Sequence, residues 1–559
     1  MPQPLSFRLS RTTLLLLWIA TLPLLLAGLG NAVTQRTQEA RVLETAREML
    51  ASNDWHQWMI PRLNDKVRLE KPPFAYWMTA GSFRLFGINE FAGRLPFAIA
   101  GWLLIAVTYR FAKKLIDEQF AFFSAVILLT SWMFFSHFRL AETDAPATLF
   151  LTAAVYWLWQ GGQETRTARS YALFQLAGLA TGLAALPKGP QAGFAILFFI
   201  IWVLIEKKRG AIPRLLLSGA LLTALIIGGS WYFYVRTDPH AAILWKEFMV
   251  VTQGRDHIGH FYNYFPWILR ATIPWTGLVL LGVIWGICIM LFTLFGHFSW
   301  WNDKLGWMYK DQSEGSQERD HAARTLIIWA ASILFPLFFA GNKQNHYLVP
   351  LMPPLAMLAA YALCRGLASG SKEAPLVRVV VGITFAISLL SPIAVFVIGR
   401  YQHEPFKLIE LILIAVMFAA IIATLIFARR QGATAGAAIY AAGLAVIFAI
   451  VQGWWLPSLN LVHHREIAAQ LRNAYGNRPY AYYGKDFSLP LIWNLRQTIP
   501  LSETADELNQ KLDKAPETVV ITQFKNGREP PNVPARLQKT AEYETGNEDA
   551  LFRIYVQHP

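Results

Sequence analysis

Cysteine is nearly absent: the 559 residues hold two, Cys288 and Cys364, each inside an apolar run. No disulfide framework can hold such a chain together, and each thiol is expected to pack as a small hydrophobe. Charged residues are also few, at 15%. Neither a glycine-rich phosphate loop nor a dinucleotide fingerprint occurs, which removes the common nucleotide-binding motifs. His257 and His260 could share a helix face, but no adjacent carboxylates complete a recognisable zinc site, so no metal is expected. Internal repeats and low-complexity segments are missing as well.

What fills the sequence instead is apolar. With 54% hydrophobic residues and a mean hydropathy of +0.34, the chain is too greasy for a soluble multidomain protein. A spanning helix takes roughly 20 apolar residues. Such stretches lie near 12–32, 91–110, 118–136, 144–160, 171–187, 190–206, 214–234, 266–294, 325–341, 347–365, 377–399, 406–428 and 435–456, which predicts thirteen crossings of the bilayer. The first run, Thr12 to Leu29, is long and lacks a clear small-residue cleavage site, so it reads as a retained helix. Cytoplasmic loops keep an excess of lysine and arginine. With the N-terminus inside, Arg8, Arg11, Lys113, Lys114, Lys207 to Arg209, Arg429 and Arg430 all fall in the cytoplasm. The net charge of +14 is in part this ordinary asymmetry and gives no reason to invoke nucleic acid.

The composition changes after Trp455. Residues 457–559 carry ordinary charge, turn residues such as Tyr475-Gly476-Asn477 and short apolar strands such as Thr518 to Ile521, alternating with helical patterns near 464–474 and 504–512. A small water-soluble α/β domain on the external side is predicted, following an α-helical membrane domain of residues 1–456.

Within the membrane domain, the external loop 33–90 stands out because its basic residues run against the usual bias. Interfacial snorkelling is one explanation; a site for an anionic ligand is the other. Glu39 to Ala51 shows amphipathic helical spacing, and Phe74 to Phe86 suggests a second helix ending near Gly87. The segment His297 to Arg324 reads as an interfacial connector on the inside.

Four constellations on the external side could carry chemistry. Gln38-Glu39 opens the first loop helix, where a glutamate is favoured by the dipole in any case, and Glu142 and Asp144 stand where the fourth span begins, where Asp144 would also suit a helix cap. Glu70-Lys71-Pro72-Pro73 presents a cation on a stiffened backbone, as a phosphate partner or as one half of an exposed ion pair. Lys188-Gly189-Pro190 puts a lysine between two apolar spans, which is costly unless it is paired or reaches water. Lys343 and Tyr347 place a cation and a phenol in one short turn. Cations for a phosphate, carboxylates for hydroxyls or proton transfer, and aromatics for a sugar together suggest glycosyl transfer from a lipid-phosphate donor.

The stretches QEARVLETAREML, LEKPPFAYW, FGINEFAGRLP, AETDAPATLF, LPKGP and NKQNHYLVPLMPPLAML resemble the bacterial aminoarabinose transferase and protein O-mannosyltransferase-like family, membrane glycosyltransferases of GT-C fold. The resemblance covers about Gln38 to Leu358. It implies thirteen helices, a small periplasmic domain, an undecaprenyl-type phosphate sugar donor, an acceptor such as lipid A, and no cofactor or metal. It implies that Lys71, Tyr347 and Lys343 contact the donor phosphate, with Glu70 and Asp144 in the cavity and His257 near its rim. The full candidate set is Glu39, Glu70 and Asp144 as catalytic carboxylates; Lys71, Lys188, Lys343 and Tyr347 at the phosphate; and Gln38, Arg41, Tyr76 and His257 at the rim. A monomer in the bacterial inner membrane is expected. One position departs from the family, which carries an aspartate where this chain has Gln38. A glutamine cannot act as a base, so either Glu39 or Asp144 takes over or the reaction needs no strong base. A phosphate acceptor would meet the second condition, being already largely anionic at neutral pH. The rival reading is a flippase or carrier of polyprenyl-linked sugars, for which carboxylates on both faces would be expected.

Overall fold

The computed structural model describes residues 10–34, 36–52, 54–244, 260–295, 314–341, 343–368, 373–402, 407–525, 532–546 and 550–557. It is mostly helical. Among the described residues, eight helices are long and apolar enough to cross a membrane, nine if Ala211–Leu217 and Ala220–Val235, bent by 53° at their junction, form one crossing. The chain is a multi-pass membrane protein.

Burial separates the centre of the bundle from its edge. The Asn345–Leu367 helix has 89% of its apolar window buried, whereas Ala374–Tyr401 has 11% and Leu408–Gln431 17%. Mean hydropathy, 1.6 for the first against 2.4 and 3.0 for the others, runs against burial: the first packs on protein, whereas the others leave leucine and isoleucine exposed on the bundle surface. Several apolar runs are broken. Residues 266–294 form two helices, Tyr264–Ala271 and Thr276–Phe295, and residues 377–399 form Ala374–Leu389 and Ser391–Gln402. The region read as an inside connector is corrected in its described part: from Glu314 it is the start of a long helix, Glu314–Phe339.

Within loop 33–90 the two helices form where their spacing predicts. The loop helix runs Thr37–Ser52 and a second helix Phe74–Phe86, which stops at Gly87 with φ +80°. Between them Arg62–Leu63 (β1) and Lys66–Val67 (β2) make a small hairpin, with both tip residues, Asn64 and Asp65, in the left-handed region at φ 53° and 61°. Asn and Asp tolerate that conformation better than other side chains do, because their short polar groups bond locally.

The Arg11–Leu26 helix begins under a Ser10 cap and ends against the far part of the chain. Gly28, at φ +60°, lies so close to Gly453 that an added Cβ would stand 2.3 Å from its carbonyl oxygen. Arg139, 5% exposed, donates to the carbonyls of Leu24, Leu25 and Ala27 that the helix end leaves unpaired.

The C-terminal residues build a five-stranded sheet in the order β4-β3-β5-β7-β6, with Tyr480–Tyr483 as β3, Leu501–Ser502 as β4, Val519–Lys525 as β5, Leu537–Glu544 as β6 and Ala550–Gln557 as β7. Strands β3, β4 and β5 are parallel, and β7 pairs antiparallel with β5 and β6. Alternation along the strands sorts the faces. Ala481, Tyr483 and Val520 pack on Leu508 and Leu512 of the Ala505–Lys514 helix. Tyr480, Tyr482, Val519 and Ile521 pack on the His464–Tyr475 and Leu489–Leu495 helices, and that cluster continues to Ala40 of the loop helix and Leu63 of the hairpin.

Candidate active site

A polar cavity opens where the loop helix meets the start of the Asp144–Gln163 helix. Gln38, Arg41 and Val42 form one wall, Arg68, Lys71 and Tyr76 a second, Glu142 to Asp144 a third, and His346 closes it. The void is narrow, about 20 Å³, which is room for roughly one water.

Each carboxylate in the cavity wall is engaged. Asp144, 3% exposed, heads its helix, where the dipole favours an anion, and forms a salt bridge with Lys188 from the end of the Thr167–Lys188 helix. The lysine ammonium in turn lies 4.9 Å from the centre of the Tyr347 ring. Glu142 takes Arg36 at 3.0 Å on one oxygen and His137 at 3.0 Å on the other. Burial works against its charge, but the hydrogen bond and charge of His137, with Arg36, hold its pKa below the usual range.

Lys71 behaves differently. It makes no ion pair among the described residues; its neighbour Glu70 instead takes Arg68 at 2.7 Å. Burial lowers the Lys71 pKa, and the negative fields of Glu70 and Asp144 recover only part of the loss. The wall thus carries Lys71 beside Arg41 and Arg68, the latter held by Glu70, together with two carboxylates that are bridged to Arg36, His137 and Lys188. Three basic side chains converging on one cavity suit an anion with more than one oxygen. Gln38 contributes a neutral amide, which donates to Gln344 Oε1 at 3.4 Å.

Other expected residues fall elsewhere. Glu39 does not reach the cavity: Arg94 holds it in a buried two-point pair at 2.7 and 2.9 Å, and the Ala141 N–H donates to it at 3.2 Å. Arg94 also donates to the carbonyls of Leu29 and Ala32, so the pair ties the loop helix to the first span and leaves no free base. Lys343 is also off the wall. Its ammonium donates to the carbonyls of Leu337, Phe338 and Ala340, ending the Glu314–Phe339 helix as a cationic cap. Glu70 and Tyr347 stand behind the wall: Glu70 pairs with Arg68, and the Tyr347 ring lies against Lys188 and against His346, 4.8 Å between ring centres. His257 lies outside the described residues. The cavity also takes in His346, next to Tyr347 in the sequence, and Arg68, one of the basic residues of the loop, neither of which the sequence had marked out as a site residue.

Residues 70–232 match the family model described as dolichyl-phosphate-mannose-protein mannosyltransferase, a span that includes Lys71, Asp144 and Lys188. The undecaprenyl phosphate-alpha-4-amino-4-deoxy-L-arabinose arabinosyl transferase of Erwinia tasmaniensis is 26% identical over 371 residues, 64% of this chain and 61% of its own length. The chain thus spans about three fifths of that relative. An uncharacterised protein of Aquifex aeolicus is 25% identical over 72% of both chains. Among solved structures, ArnT from Cupriavidus metallidurans bound to undecaprenyl phosphate superposes with a TM-score of 0.72 at 20% identity, covering 98% of both chains. The chain is thus similar to the aminoarabinose transferases over about two thirds of its length and to the protein mannosyltransferase model over residues 70–232. Its fold is the GT-C fold of that ArnT structure, which also holds in the apo state, with a TM-score of 0.71.

Proposed function

We propose that this chain is an inverting membrane glycosyltransferase that moves a sugar from undecaprenyl phosphate to a phosphate of lipid A or another envelope acceptor. The observation that carries this reading is Lys71, without an ion pair among the described residues, converging with Arg41 and the Glu70-held Arg68 on one polar cavity. The sugar in its relatives' names, 4-amino-4-deoxy-L-arabinose, is the first donor to test.

An acceptor phosphate oxygen attacks C1 of the sugar, the bond from C1 to the polyprenyl phosphate oxygen breaks, and the departing phosphate takes the electron pair. A phosphate monoester with a second pKa of about 6 needs no base to do this, which suits Gln38 in place of a carboxylate. Lys71 and Arg41 meet the charge that develops on the leaving phosphate. Asp144, held by Lys188, orients the sugar hydroxyls or amine, and Tyr76 lines the path.

The wider reading places the site at the periplasmic face of the bacterial inner membrane. It keeps thirteen crossings with the N-terminus inside, a boundary near residue 456 before a periplasmic α/β domain, a monomer, and transfer without a metal or other cofactor.

The experiment is transfer in proteoliposomes from undecaprenyl-phosphate aminoarabinose to lipid A, read by mass spectrometry with EDTA present. The wild type is expected to modify lipid A and Lys71→Ala to lose the activity. Full transfer by Lys71→Ala would overturn the site. Movement of the lipid-linked sugar across the bilayer with no transfer would make the protein a carrier.

A further inference from the structure

Asn64, at the hairpin tip, joins two parts of the chain that are 435 residues apart. Its side-chain Nδ2–H donates to the Ile499 carbonyl at 2.5 Å, and the Ile499 N–H donates back to Oδ1 at 2.7 Å. One buried amide thus makes with the segment entering β4 the paired bonds that a neighbouring strand would make. The backbone of the same tip is gripped from the other side: the N–H groups of Asn64 and Asp65 donate to the Glu48 carboxylate of the loop helix at 2.7 and 3.3 Å. The helix, the tip and the C-terminal sheet form one chain of contacts.

A second connection runs beside it. Trp493 stacks on Phe83 at 5.7 Å, and Glu90 faces Arg465 at 3.4 Å and Arg496 at 3.6 Å. On the loop helix, Ala40 belongs to the apolar cluster of the C-terminal sheet, while Gln38 and Val42 line the cavity. At 3.6 residues per turn, Ala40 lies about 160° around the helix from both Gln38 and Val42, two positions away on either side. The sheet therefore packs on the back of the helix whose front faces the site.

We infer that Asn64 is a positioning residue: by pinning the hairpin and loop helix to the C-terminal sheet, it sets where Gln38 and Arg41 stand in the cavity. The kinetic part of this inference rests on the proposed transfer reaction. The structural part does not.

The test compares Asn64→Gly with Asn64→Asp in the full chain. Glycine keeps the left-handed backbone without strain and removes both amide bonds. Aspartate also tolerates that backbone and keeps the acceptor for the Ile499 N–H. Asn64→Gly is expected to raise the KM for undecaprenyl-phosphate sugar about tenfold with a smaller change in kcat, as loss of wall placement should, and Asn64→Asp to fall between it and the wild type. Adding Asn64→Gly to Arg41→Ala should cost little more, because both act on one wall. Hydrogen exchange supplies a readout free of activity: amides 38–46 should exchange faster in Asn64→Gly while those of the Asn345–Leu367 helix do not change. A lower melting temperature with wild-type KM and unchanged exchange in the loop helix would overturn the inference and leave Asn64 a fastening of the fold. If the wild type shows no transfer, the functional reading fails, and the exchange experiment still decides the coupling.

Discussion

Asp144 and Gln38 face the same cavity, and their surroundings assign them different weights. Asp144 is buried, heads a helix and neutralises Lys188; removing its carboxylate strands a lysine in a low-dielectric wall and lets it compete for the donor phosphate. Gln38 offers a neutral amide whose hydrogen bond to Gln344, at 3.4 Å, is long. Replacing Asp144 with alanine is therefore expected to lower kcat/KM for transfer by about a hundredfold or more, in the range of losing a positioned acid/base or charged group, and Gln38→Ala by less than about tenfold. Initial rates of lipid A modification check the order, and a larger loss in Gln38→Ala would count against a base-free reaction. Lys71 was legible because Pro72 and Pro73 mark a fixed backbone in the sequence itself. Glu39 was not, since its partner Arg94 is 55 residues away and only the fold shows that they meet. The carbonyl partners of Lys343 were not legible for a similar reason: a cation after an apolar run is equally a phosphate ligand or a cap for the helix carbonyls that precede it.

At the scale of elements, the loop helix carries the site on one face and its support on the others. Its amphipathic spacing gave away the helix but not what the charged positions touch. Glu44 is closed by Arg47 at 2.6 and 2.9 Å, whereas Glu48 grips the hairpin tip. Burial, then the charge of Glu44, push the Glu48 pKa up to about 7, although the two N–H groups and Arg47 pull it down. The folded protein thus holds this proton more tightly than the unfolded chain, where a glutamate titrates near 4.5. Stability from this group is complete below pH 4.5 and is lost as pH rises towards about 7. Thermal unfolding in detergent should show the wild type losing stability across that window, with the slope reduced in Glu48→Gln. An identical slope in the two proteins would remove Glu48 as its source. Apolar runs predicted where helices lie, but not the breaks at 272–275 and 390, because hydropathy reports composition and not chain direction.

For the molecule as a whole, one end of the bundle collects the chemistry. The Glu90–Leu115 helix has 26 residues, about 39 Å at 1.5 Å per residue. Its first residue contacts Arg465 and Arg496 of the C-terminal region, and its last turn carries Lys113 and Lys114. The Asp144–Gln163 and Thr167–Lys188 helices make a hairpin that leaves the cavity at Asp144 and returns to it at Lys188, so residues 164–166 lie at the far end with Lys113. Cavity, loop helix and C-terminal sheet therefore share one side, and the basic pair stands on the other. The positive-inside bias was readable from the sequence because it needs only loop composition, whereas the closure of the sheet onto the loop helix depends on contacts across more than 400 residues, such as Asn64 to Ile499. The two sides become a topology once one reporter on each is placed. With Cys288 and Cys364 changed to serine, Lys485→Cys is expected to react with a membrane-impermeant maleimide in cells with permeabilised outer membranes, and Lys113→Cys only after the inner membrane is opened. Labelling of Lys113→Cys in intact inner membranes would invert the orientation and put the cationic cavity in the cytoplasm, where a periplasmic acceptor could not reach it.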